Sequence, residues 1–131
     1  MQPIELEIPM RTPTTNKLVR THWAKRGRIG RQVAKELWIA MVLARIPRPE
    51  KPIRRFRIEI MRESTKEPDR DGLFGSAKFI LDALQPPSRR HPYGIGLIAD
   101  DSPAHMLDLD VRHVHGKGER TRIRIEPVEA Q

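Results

Sequence analysis

The sequence predicts an α/β fold: one small domain in which helices pack on a mixed β-sheet. Three observations carry this. Apolar residues alternate with polar ones at both ends of the chain and near its middle, as half-buried strands require. Two intervening segments repeat apolar residues every three or four positions, the period of an amphipathic helix. The resulting order is β, α, β, α, β, β in 131 residues, enough for one ordinary core, and no repeat, linker or low-complexity block divides residues 1–131.

The first strand is written in Ile4, Leu6 and Ile8, which alternate with Glu5 and Glu7 before Pro9. A Thr-, Arg- and Gly-rich stretch follows, with no clear period, and reads as a long basic loop with room for a short helical piece. From Arg31 to Arg45, Ala34, Leu37, Met41 and Ala44 recur at helical spacing, widened by Val33, Trp38 and Leu43. Prolines 47, 49 and 52 end that helix. In the next strand Phe56, Ile58 and Ile60 alternate with Arg55, Arg57 and Glu59. The second helix spans DGLFGSAKFILDAL, with Leu73, Ala77, Ile80 and Leu84 on one face, and stops at Pro86 and Pro87. Leu107, Leu109 and Val111, then Ile123 and Ile125, mark two final strands joined around Gly116, Lys117 and Gly118.

The chain has no cysteine, which excludes disulfides, thiolate zinc sites and Cys nucleophiles. No stretch reaches the roughly 18 apolar residues that span a bilayer, and MQPIELEIPM lacks the basic and apolar regions of a secretory signal, so a soluble cytoplasmic protein is expected. Net charge is +8, and it is uneven: residues 1–60 carry 14 Lys and Arg against 5 Asp and Glu, residues 61–131 carry 11 against 12. Arg11, Lys17, Arg20, Lys25, Arg26, Arg28, Arg31 and Lys35 fall within one stretch that has no acidic residue. Such a field attracts phosphate backbones by a salt-sensitive term. A solvated basic surface, or an acidic protein or membrane-surface partner, are the alternatives.

The carboxylates raise a second question. Asp69 and Asp71 lie two apart in EPDRDG and share a side of an extended segment. Two carboxylates directed together repel unless they are solvated, protonated or bound to a cation, and oxygen ligands of this kind suit Mg²⁺ or Mn²⁺. The plain reading makes Asp71 a helix N-cap and Asp69 a solvated turn residue. Lys78 follows Asp71 by two helical turns, and Asp82 follows Lys78 by four positions, an ordinary ion-pair spacing that also places an ammonium beside any bound phosphate. Asp100 and Asp101 form a second acidic doublet, whose alternative is a turn before Ser102 and Pro103. Asp108 and Asp110 alternate with Leu107, Leu109 and Val111 and belong on a solvent face. His113 and His115 share a strand face without an evident third ligand. Arg89, Arg90 and His91 contact phosphates or coat a loop; Trp23 and Trp38 are assigned to packing ahead of base stacking.

DRDGLFGSAKFILDAL followed by IADDS resembles the RusA family of Holliday junction resolvases, and the likeness extends from EIPMRTPTTNK to the terminal strands. The resemblance implies a RusA-like α/β fold, a homodimer, and a Mg²⁺- or Mn²⁺-dependent endodeoxyribonuclease that nicks four-way or other branched double-stranded DNA. It implies that Asp69, Asp71 and Asp101 ligate metal, and that Lys78 stabilises the reacting phosphate, with Asp100 and Asp82 matching neighbouring positions. It places Asn16, Lys17 and Arg20 on the DNA side, joined by Lys25, Arg26, Arg28, Arg31 and Arg70. Where a common family pattern has Asp-Leu-Asp-Asn, this chain has Asp-Arg-Asp-Gly, and Lys78 stands three positions farther from the second aspartate. A non-catalytic DNA-binding protein derived from a resolvase is the alternative, and a protein-interaction module comes third.

Overall fold

The computed structural model describes residues 2–14 and 23–128, apart from the side chain of Trp23. Among them, β1 is Ile4–Ile8, α1 Trp23–Leu43, β2 Phe56–Ser64, α2 Arg70–Leu84, β3 Met106–His115 and β4 Thr121–Pro127. The strands form one mixed sheet in the order β1, β4, β2, β3. β4 is antiparallel to both β1 and β2, whereas β3 is parallel to β2. A parallel pair needs a long crossover, and α2 lies within it. The expected α/β domain with a mixed sheet and packed helices is therefore present.

Both helices cover the same side of the sheet. Ile4, Leu6, Ile8, Phe56, Ile58, Ile60, Ile123 and Ile125 meet Val33, Leu37 and Met41 of α1 and Ala77, Ile80 and Leu84 of α2 in one buried cluster. Each large aliphatic side chain buried there contributes about 1.5–3 kcal/mol. The opposite face stays wet and is laced with charge: Arg122 Nε lies 2.9 Å from Glu7 Oε1 and Arg124 Nε lies 3.4 Å from Glu5 Oε1.

That lattice accounts for the strand order. β3 and β4 are consecutive, yet they do not pair; β4 inserts between β1 and β2. In that position Arg122 and Arg124 stand opposite Glu7 and Glu5, and Ile123 stands opposite Leu6. Both faces of β4 are then matched, one by charge and one by apolar contact. The connection passes the end of β2, where Glu63 N–H donates to Arg120 O at 2.8 Å.

α1 begins at Trp23, eight residues before the periodic stretch, because the basic segment contains glycine but no proline and continues the helix. Gly30 leaves room for the Tyr93 ring: a Cβ there would lie 2.5 Å from it and displace it. The helix ends with Arg45 at φ 56°, while Ile46 N–H donates to Met41 O at 3.0 Å and Arg45 N–H to Val42 O at 3.1 Å. These paired bonds are those of a Schellman ending, and Ile46 packs against the core. No helix among the described residues is long and apolar enough to cross a membrane.

Candidate nucleic-acid interface

α2 starts on a local hydrogen bond. Asp69 is the N-cap: its Oδ1 accepts from Gly72 N–H at 2.7 Å. Asp71, the residue expected to cap, lies instead exposed in the first turn, where a carboxylate complements the positive end of the helix dipole. Arg70 is exposed beside it. The cap falls two residues earlier than expected because Asp69 itself is extended, at φ −67° and ψ 169°, and helical geometry begins at once after it.

Two turns along α2, Lys78 joins the later acidic doublet. Its Nζ lies 3.3 Å from Asp101 Oδ2 and 3.5 Å from Asp82 Oδ1. Burial works against the ammonium, but the carboxylates of Asp82 and Asp101 outweigh it and hold Lys78 above its ordinary range. Asp82 also faces His91, with Oδ2 3.5 Å from Nε2, and His91 Nδ1 is 2.9 Å from the Tyr93 hydroxyl. Asp100 turns the other way: Asp101 N–H donates to its Oδ1 at 2.9 Å, and this bond, with help from Ser102, lowers its pKa.

This geometry overturns the expected metal chemistry. Among the described residues no group of three or more His, Asp or Glu side chains is placed to hold a metal ion. Asp69 is committed to the cap and Asp101 to Lys78. The expectations of a Mg²⁺ or Mn²⁺ cofactor, of a metal-dependent endodeoxyribonuclease, and of junction hydrolysis serving recombination or repair are corrected on this ground. His113 rests near Ser64, 3.4 Å from Nδ1 to Oγ, and His115 is exposed; neither belongs to a metal-holding group. Asp110 pairs with Arg112 at 2.6 Å on the outer strand face, as its alternation predicts.

The structure gathers cations more effectively than carboxylates. α1 and the loop that follows α2 enclose a cleft of about 450 Å³, lined by Arg26, Arg31, Lys78, Asp82, Arg90, His91 and Tyr93 among others. Lys25, Arg26, Arg28 and Arg31 are all exposed on the first half of α1. The loop is held against the domain by backbone bonds from Ile95 to Ala83 O at 2.9 Å and from Gly96 to Gln85 O at 3.0 Å. Tyr93 was not signalled by the sequence. Its packing against Gly30 joins the loop to α1, a contact between residues 63 positions apart that no local period encodes. Asn16, Lys17 and Arg20, also expected at the DNA side, lie outside the described residues. No protein-family model matches the chain, and no curated protein matches it.

Proposed function

We propose that this is a nucleic-acid-binding protein that grips branched double-stranded DNA by its phosphate backbone without hydrolysing it, a non-catalytic relative of the RusA-like resolvases. The observation that carries the binding is the cleft where Arg26 and Arg31 of α1 face Arg90 of the loop after α2. Guanidinium groups suit bidentate contact with phosphate oxygens. Among the described residues the one carboxylate lining the cleft is Asp82, which shares Lys78 with Asp101 and adjoins His91, so it is outnumbered by Arg26, Arg31 and Arg90. Phosphate entering there meets an excess of positive charge. Preference for a branch over a linear duplex rests on the resemblance of the DRDG, SAK, LDAL and ADDS segments.

A second copy of the chain belongs to the same reading. Beyond its basic half, α1 exposes Trp38, Ile39, Val42 and Leu43 on adjoining positions, with Leu43 79% exposed. Self-association through this face would bury them and set two basic half-helices on one assembly, suited to a symmetric junction.

The test measures affinity for a four-way junction and for a linear duplex across a salt series. Three phosphate contacts give a slope of log K on log salt near −2.7, or about 40-fold weaker binding over a fourfold rise in salt. Arg26→Ser and Arg31→Ser should each flatten the slope by about one. Affinity independent of salt, or slopes unchanged in both variants, would refute the interface; equal affinity for both DNAs would refute branch selectivity.

A further inference from the structure

β2 keeps strict alternation, and its inward face reads Phe56, Ile58, Ile60, then Arg62 and Ser64. The period that buries the isoleucines thus drives a guanidinium into the domain, leaving Arg62 only 5% exposed. Its acceptors are neutral: Nε donates to Thr12 O at 2.9 Å and Nη1 to Ser64 Oγ at 3.2 Å. Ser64 Oγ is itself tied to Lys66 O at 2.9 Å. Among the described residues no carboxylate lies within ion-pair distance of Arg62, and no buried side-chain nitrogen lacks a partner, so the rest of the guanidinium opens on the cleft that it lines. Its charged neighbour is Arg11; burial first, and that second guanidinium, pull Arg62 below its ordinary range. A buried guanidinium without a counter-ion is costly, and a bound anion relieves the cost.

The cleft over Arg62 has a volume of about 670 Å³ and, among the described residues, shares no lining residue with the α1 cleft. Arg11 and Lys66 add two cations, while Thr12, Thr14 and Thr65 add hydroxyls. Glu67 and Asp69 stand at the same cleft, with Asp69 Oδ1 accepting the helix-cap bond, and Glu119, 3.6 Å from Arg11, offsets part of that cation's charge; among the described lining residues themselves three cations face two carboxylates. That balance suits a single phosphate group and disfavours a track of phosphates. Two guanidinium forks, an ammonium and hydroxyl donors supply enough hydrogen bonds for the several oxygens of one phosphate group.

We infer that the cleft over Arg62 is a binding site for one terminal phosphate monoester, carried either by a free mononucleotide or by the 5′ end of a DNA strand, with Arg62, Arg11 and Lys66 as its anion-binding groups. The experiment follows the Arg Nε–Hε NMR signals of the protein during titration with inorganic phosphate, thymidine 5′-monophosphate, and a short single strand with or without a 5′-phosphate, at constant ionic strength. Saturable movement of the Arg62 signal with phosphate, weakened on the order of tenfold in Arg11→Gln, supports the site. Arg11 is partly exposed and its pair with Glu119, 3.6 Å apart, contributes little to stability, so that variant stays folded. Tighter binding of the mononucleotide than of the 5′-phosphorylated strand assigns the free ligand; the reverse order assigns the strand end. An Arg62 signal that stays fixed up to about 20 mM phosphate, an equal response to chloride, or equal affinity in Arg11→Gln overturns the inference. Arg26→Ser with Arg31→Ser must leave phosphate binding intact, so failure here and failure at the α1 cleft are read separately.

Discussion

Asp69 provides the sharpest division between a structural and a metal-binding role. Its Oδ1 takes the Gly72 N–H at 2.7 Å, and Gly72 is buried against Thr14 and Pro68, so water does not readily replace the carboxylate. Asp69→Ala should therefore cost the upper part of the range for a lost cap, about 1.5 kcal/mol. With an unfolding entropy of about 2.1 cal/mol/K per residue over 131 residues, that is a drop in Tm of about 5 °C. Asn caps as well as Asp, so Asp69→Asn should stay within about 0.5 kcal/mol of the parent. Asp71→Asn forfeits a favourable charge in the first turn of α2, which costs about 0.3–1 kcal/mol. Thermal unfolding by circular dichroism, with and without Mg²⁺, gives the answer. The reasoning fails if Asp69→Asn unfolds as early as Asp69→Ala, or if Mg²⁺ raises the parent Tm by several degrees and either asparagine variant abolishes the gain.

The remaining predictions concern the loop, the charge cluster and the exposed helix face. A Cβ on Gly94 would lie 2.9 Å from the Pro86 carbonyl and against the Gln85 oxygen, backbone atoms that cannot swing aside; Gly94→Ala should cost about 3 kcal/mol, read as a lower urea midpoint, and weaken DNA binding by displacing Arg90. Lys78, held above its ordinary 10.5 by Asp82 and Asp101 against the effect of burial, binds its proton more tightly folded than unfolded. Its contribution is complete below that value and is lost as pH rises through the folded pKa, so stability should decline above about pH 10.5, and the decline should shrink in Asp101→Asn when urea midpoints are compared across that range. Val42→Glu with Leu43→Glu should shift sedimentation from dimer to monomer with little change in Tm, since both side chains are well exposed; a parent that sediments as a monomer at the concentrations of DNA binding refutes the self-association.

Local period and composition by themselves determined the strand at Ile4–Ile8, the first part of β2 through Phe56, Ile58 and Ile60, the helix over residues 71–84, and the basic character of α1. Each depends on spacing within a few residues: alternate positions share a strand face, and positions three or four apart share a helix face. RESTKEPD, residues 62–69, reads in the sequence as a polar connector, whereas β2 runs on through Ser64 and turns Arg62 inward. Tertiary structure alone decided the rest. It inserted β4 between β1 and β2, where Arg122 and Arg124 meet Glu7 and Glu5 from the far end of the chain. It divided acidic residues that look like one constellation in the sequence: Asp69 closes a helix end, Asp101 neutralises Lys78, and Asp82 lies between Lys78 and His91. Carboxylates chelate only when their oxygens converge within a few ångströms, a condition on folded distances and not on order along the chain.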